Sequence, residues 1–282
     1  MRIRRLKLLL VKILTHVIAW IIAFAWILPF MGIFMASIRP MEEIIAGWWR
    51  FDSFHVTLSN FIEAWHHPSV PMSRGIINSL IVTIPSSIIP LIVGALAAYG
   101  FSRFSFPLKE MLFLTIVTFM ALPPQAIGIP LFILMNQLGL VDTYVGLVLF
   151  HSANGLPWII LFLRNYFETV PKELEDAARV DGASEIQIFL GIILPVIKPA
   201  LYSILALQFT WVWSDFFYAL ILIYTPDNLL ASQRIPLMKG EYHIPWGTLC
   251  AASIIMISVP AILYAFLQKY FIRGIVGGVI KG

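Results

Sequence analysis

Six long apolar stretches alternate with shorter polar ones along the chain, at about residues 13–37, 76–99, 111–135, 144–167, 199–223 and 247–271. A helix needs ~20 such residues to cross a hydrocarbon core about 30 Å thick. The predicted fold class is therefore an all-α integral membrane protein with six transmembrane helices, all within one domain. Prolines fall within those helices: Pro29 as a kink near the outer end of the first, Pro85 and Pro90 in the second with Thr83, Ser86 and Ser87 at hand to satisfy freed carbonyls, and Pro260 in the last. The third contains Pro123-Pro124 and Pro130, and a helix so interrupted needs protein around it to satisfy the freed backbone groups. Residues 38–75, with Trp48, Trp49 and Trp65, and residues 224–246 are predicted as external loops, and residues 272–282 as a tail.

One polar interruption stands apart. The stretch from Glu168 to Pro195 carries six of the 15 acidic residues: Glu168, Glu173, Glu175, Asp176, Asp181 and Glu185. Pro171 suits the first turn of a helix. Leu174, Ala177 and Ala178 then make a narrow apolar stripe at i, i+3, i+4, and Gly182 supplies a left-handed stop. Ser184-x-x-Gln187 is a capping box for a second helix, with Ile186, Phe189, Leu190 and Ile193 expected on its packed face. The prediction is helix, glycine turn, helix, a knob shaped to dock into something.

Composition sharpens the class. Apolar residues make up 60% of the 282 and charged ones 12%, with a mean hydropathy of +0.88, far from the half-apolar, quarter-charged soluble average. The single cysteine, Cys250, excludes disulfide and Cys-ligated metal frameworks. No third ligand accompanies His66-His67, so no metal site is expected. The basic residues locate loops rather than a nucleic-acid surface. Fourteen of the 19 Lys and Arg fall on the face shared by the knob and both termini, and the positive-inside rule makes that face cytoplasmic.

The run Glu175-Asp176-Ala177-Ala178-x-x-Asp181-Gly182-Ala183, followed by Ile193-x-Pro195, resembles the EAA loop of ABC-importer permease subunits. Asn78-Ser79, Ala97-Ala98-Tyr99 before Ser102-Arg103-Phe104, and the tail Arg273-Gly274, Gly277-Gly278 and Lys281-Gly282 are similar to the carbohydrate-uptake type. The resemblance covers nearly the whole chain and is closest to the second permease subunit of maltose-type systems. Asp176 stands where that motif usually has Glu.

The resemblance implies a coupling helix, with Glu175, Asp176, Ala177, Ala178, Asp181, Gly182 and Ala183 seated in a cytoplasmic ATPase. It further implies a heterodimer with a second permease, two ATPase subunits and an extracytoplasmic sugar-binding protein. No G-x-x-x-x-G-K-[ST] occurs, so this chain lacks a P-loop and is expected to bind no cofactor itself. ATP and Mg would belong to the partner ATPase, and this chain would not be an enzyme.

Gln208, Trp211 and Asp215 fall at i, i+3, i+7 in the fifth span and are candidates for a translocation pathway. An acidic residue inside a span is a functional candidate by default, although pairing at the outer interface is an alternative for Asp215. Interhelical bonding is expected of His151, Ser152 and Asn154. By the same resemblance, Asn228, Gln233, Arg234 and Glu241 are candidates for contact with the binding protein, with His243 beside them. The tail glycines suit an irregular extension. A competing class, a secondary transporter driven by an ion gradient, would need a relay of intramembrane ionisable residues and internal repeats, and neither is visible.

Overall fold

A computed structural model describes residues 2–240 and 244–279, with side chains over residues 10–240 and 244–269. Every regular element among the described residues is helical. Among the described residues, five helices are long and apolar enough to cross a membrane: Leu10–Ser37, Met72–Arg103, Tyr144–Glu168, Glu185–Trp213 and Trp246–Lys269. A sixth span exists if the pair Lys109–Ala121 and Pro124–Gln137, bent by 103°, counts as one. That bend falls at Pro123-Pro124, where Pro123 is extended and Pro124 opens the second half at a position that needs no N–H.

The backbone packs into two compact units. The first comprises Met1–Met72 with Ile235–Met256. It holds α1 (Arg2–Ser37), whose apolar window has no buried residue, and the short helices α2 (Met41–Gly47) and α3 (Ser59–Trp65). Its polar ties are local. Asn60 Nδ2 donates to the Ser37 and Arg39 carbonyls at 3.0 and 2.8 Å, and Thr248 donates to Glu63 at 2.8 Å. Arg39 is fully buried beneath the rings of Phe51 and Phe54.

The second unit, Ser73–Arg234 with Ile257–Gly282, contains the candidate sites. Its core lies between α4 (Met72–Arg103), α7 (Tyr144–Glu168) and the span formed by α9 (Glu185–Ile188), a π turn (Phe189–Ile193) and α10 (Leu194–Trp213). Ala95, Ala98, Ile159, Leu163, Phe167, Ile193 and Ile197 are buried in it. Small residues set the spacing. A Cβ on Gly94 would stand 2.5 Å from Ile159 Cγ2, so α4 and α7 meet at a distance only glycine permits. Lys109–Thr118 (α5) and Pro124–Gln137 (α6) flank this core, followed later by α8 (Glu173–Val180), α11 (Phe217–Leu222) and α12 (Ala231–Leu237).

Three boundaries differ from expectation. The fifth span does not run from Pro199 to Ile223. It begins at Glu185, because the Ser184 cap starts a helix that continues through the π turn, and it ends at Trp213. Asp215 then accepts from the Tyr218 and Ala219 N–H groups at 3.4 and 3.0 Å, which starts α11 as a separate helix. The tail is not irregular, since α13 (Trp246–Val279) carries Arg273, Gly274, Gly277 and Gly278 in helical backbone. Lys281 and Gly282 lie outside the described residues.

Candidate functional site

The polar knob folds as helix, turn, helix, with its buried face reassigned. Gly182 takes φ +83°. Its N–H donates to the Arg179 carbonyl and the Ala183 N–H to the Ala178 carbonyl, at 3.1 and 3.0 Å, the bond pattern of a Schellman stop. The capping box is complete: the Ser184 side chain accepts from Gln187 N–H, and Gln187 Oε1 accepts from Ser184 N–H at 2.8 Å. Pro171 precedes the first turn of α8 instead of joining it.

The apolar stripe is not what packs. Leu174 and Ala177 are exposed, while Glu175 is 1% exposed and Ala178 is half-buried against the core. In the second helix Ile186 and Leu190 are likewise exposed, and Ile188, Phe189 and Ile193 are buried. The π turn rotates that face, since five residues occupy a turn that normally takes fewer.

Glu175 is buried because a cation and a phenol meet it there. Arg103 Nε, at the end of α4, donates to Glu175 Oε1 at 2.6 Å, and its Nη2 to the Val170 carbonyl at 2.9 Å. Tyr99 OH donates to Glu175 Oε2 at 3.1 Å. Arg179 extends the network outward, donating to Glu185 at 2.7 Å, to Asp176 at 2.8 Å and to Glu175 at 3.3 Å. Hydrogen bonding to Glu185, followed by the neighbouring carboxylates, holds the guanidinium above its ordinary range. Asp176 is paired only with Arg179 on the same helix and stays largely exposed. So the expected set divides. Glu175, Ala178 and Ala183 face inward, while Asp176, Ala177, Asp181 and Gly182 form the outer surface beside Val180, which is 87% exposed. Tyr99 and Arg103 received no role from the sequence, although both sit in runs that carried the resemblance.

The candidate pathway residues line a cavity of about 220 Å³ between α7 and α10. His151, Asn154, Gly155 and Trp158 face it from α7, Gln208, Trp211 and Val212 from α10, and Asp215 from the link to α11, each set spaced i, i+3, i+4, i+7 in the sequence. The three candidates do different things. Gln208 is 3% exposed and fully engaged: it donates to the Ser86 and His151 carbonyls at 3.1 and 3.4 Å and accepts from Trp158 Nε1 at 2.9 Å. A Cβ on Gly155 would strike it at 2.5 Å, so Gly155 exists to admit that amide. Trp211 is more than half exposed and meets Trp158 edge-on at 5.0 Å. Asp215 caps α11 and faces His151 Nε2 at 3.5 Å.

The loop candidates fold inward. Gln233 Nε2 donates to the Ala219 and Ile223 carbonyls, and buried Arg234 donates to the carbonyls of Leu229 and Pro226 at 3.0 and 2.8 Å. Burial lowers the pKa of that guanidinium. Neither side chain is free for a partner, because each satisfies carbonyls that the tight loop would otherwise leave buried and unpaired. Asn228 is half-buried and donates to the Asp142 carbonyl at 3.4 Å. Glu241 and His243 lie outside the described residues. The loop is anchored by Asn78, donating to the Asp227 and Leu229 carbonyls, and by Ser79, accepting from Ala231 N–H. Asp142 anchors its other end, accepting from Tyr224 and Thr225 N–H at 3.1 Å each. Burial pushes the Asp142 carboxyl up, but the hydroxyl of Thr225 and these N–H groups outweigh it and leave it below the ordinary value.

Several membrane-length helices with a polar cavity between them define a multi-pass membrane protein. Residues 90–277 match the family described as binding-protein-dependent transport system inner membrane component, and the chain belongs to that family. It is 50% identical, over 98% of both chains, to a probable ABC transporter permease protein of Pyrococcus horikoshii. It is 38% identical to an alpha-glucoside transport system permease protein of Rhizobium meliloti, over 80% of this chain and 60% of that one. Among solved structures, a bacterial ABC transporter involved in the import of the acidic polysaccharide alginate shares the fold. Its TM-score is 0.79 at 24% identity, over 92% of this chain and 96% of that one. The protein is an ABC importer permease with sugar-transporting relatives.

Proposed function

We propose that this chain is one permease subunit of an ATP-driven importer that moves a mono- or small oligosaccharide inward across the cytoplasmic membrane by alternating access. An external binding protein delivers the sugar. A second, different permease completes the pore, and two separate ATPase subunits bind ATP and Mg. In this reading the knob and both termini are cytoplasmic, which the distribution of Lys and Arg supports.

The observation that carries the proposal is the division of the knob. Asp176, Ala177, Asp181 and Gly182 present a close-approach surface with two carboxylates, while Glu175 and Arg103 tie its back to α4. Such a surface suits a basic-rimmed cleft, where charge complementarity fixes orientation. The Asp176–Arg179 pair is exposed and exchangeable, so Asp176 is available to a cation of the ATPase at little cost. With Gln233 and Arg234 turned inward, contact with the binding protein falls to the exposed Tyr224, Pro226 and Asp227.

Reconstituted vesicles test the reading. Labelled alpha-glucoside uptake is expected only with ATP on the knob side, the ATPase and the binding protein all present. Uptake by this chain alone, driven by a proton or sodium gradient, would overturn it.

A further inference from the structure

The chain that follows α1 exposes a dense apolar surface within the first unit. Ile45, Trp49, Phe51, Phe54, Val56 and Leu58 are each between 41% and 72% exposed. A patch of this kind marks a surface for another protein or for lipid.

Its position favours lipid. The segment is folded back onto the end of α1. Thr57 N–H donates to the Ile38 carbonyl at 2.8 Å, one residue beyond the helix, and Asn60 Nδ2 holds the Ser37 and Arg39 carbonyls. Arg39 Nη1 donates to the Arg50 carbonyl at 2.7 Å, and its guanidinium lies 4.4 Å from the centre of the Phe54 ring. The patch is thus tied to the height of Ser37. The membrane-length part of α1, Leu10–Ser37, has 28 residues, a length of ~42 Å. Centred on a hydrocarbon core of ~30 Å, it overshoots by ~6 Å at each end, about the depth of the headgroup layer.

The charges agree. Between residues 44 and 58 the only formal charges are Arg50 and Asp52, and they pair with each other, Nε to Oδ1 at 3.0 Å. His55 meets Glu43 through ring Nδ1 at 2.6 Å, and its backbone N–H donates to the same carboxylate. A protein-docking face keeps a polar rim for its partner, whereas this stretch engages its charged groups internally. Aromatic side chains at the end of a span are the ones favoured at a membrane–water interface, and Trp48 meets Trp49 edge-on at 5.8 Å beside the patch.

We propose that residues 45–58 form a lipid-seated collar, with these six apolar side chains in the headgroup and upper acyl region of the outer leaflet. The choice of leaflet rests on the permease reading, which puts the knob and the N-terminus in the cytoplasm; the lipid seat itself does not depend on it. The collar sets the depth of the outer end of α1 and withholds this stretch from the binding protein.

Fluorescence quenching in vesicles tests the collar on the whole assembly of this chain with its partner subunits. A fluorophore is attached at Ile45→Cys or at Val56→Cys, with Cys250→Ala and no other cysteine in the assembly. Both positions are exposed, at 72% and 63%, so neither label displaces a packed side chain. Lipids spin-labelled at the headgroup or high on the acyl chain are expected to remove most of the emission at both positions. Lipids labelled at the chain end, and aqueous iodide, should remove little. Quenching by iodide alone would put the segment in solution and overturn the collar. Quenching by neither would mean that a protein, such as the second permease, covers it. Iodide quenching abolished by added binding protein would make it that partner's docking face. Each of these outcomes overturns the proposal. Quenching only by spin label confined to the leaflet on the knob side would instead sink the proposed orientation and leave the lipid seat standing.

Discussion

Glu175 and Arg103 show how one carboxylate can fasten a surface helix to a membrane span. Their side chains are 1% and 4% exposed, and the Nε–Oε1 distance is 2.6 Å. Removing one member of such a buried pair costs up to about 3–5 kcal/mol, and here Glu175 would lose its closest cation while keeping Tyr99 and the more distant Arg179. Arg103→Met is therefore expected to lower the melting temperature of the purified assembly markedly. The double variant Arg103→Met/Glu175→Gln should recover part of that loss, since an amide can still accept from Tyr99. A double variant no better than the single one would show that Arg103 acts through the Val170 carbonyl alone. This pairing could not be read from the sequence. Glu175 sits beside Asp176 in an acidic run, and only the 72-residue separation from Arg103, closed in three dimensions, tells the inward carboxylate from the outward one.

The knob's two stops were legible because each is local. Gly182 before a capped serine and the Ser184–Gln187 box depend on residues a few positions apart, and the structure has both. No side chain approaches the Gly182 position within 4 Å, so a substitution there costs backbone strain and not a clash. A β-branched residue forced to φ +83° costs roughly 1–2 kcal/mol. Gly182→Val is accordingly expected to leave the assembly folded by thermal melting but to lose the ATPase in pull-down. Gly182→Asn, which tolerates the left-handed region, should retain it. Equal loss in both would tie the defect to the missing glycine surface and not to the turn. The π turn over Phe189–Ile193 was invisible, because its sequence FLGII fits an ordinary α-helix equally well. The inward fold of Gln233 and Arg234 was hidden for a related reason. Polar residues in a loop read as exposed until the carbonyls they satisfy are placed.

Across the molecule, hydropathy located the spans well and their ends poorly. Apolar length survives any local bend, whereas the ends depend on caps such as Ser184 and Asp215. The proposed orientation is open to direct measurement. With Cys250→Ala as background, Tyr224→Cys is expected to react with a membrane-impermeant maleimide on intact cells, and Val180→Cys only after lysis. Both parent side chains are well exposed on this chain, at 67% and 87%, and expressing it without the ATPase keeps Val180 uncovered, so inaccessibility would report the membrane and not burial. Labelling of both, or the reverse pattern, would invert the topology. The start of the fifth span has a mechanical meaning of its own. Glu185–Trp213 is one uninterrupted stretch of 29 residues, a rod of about 43 Å. The capped tip of the knob is at one end, and Gln208 and Trp211 are near the other. A tilt of ~10° about either end swings the opposite one by roughly 7 Å. The knob and the cavity wall are thus two ends of a single lever, and whatever grips one end sets where the other can be.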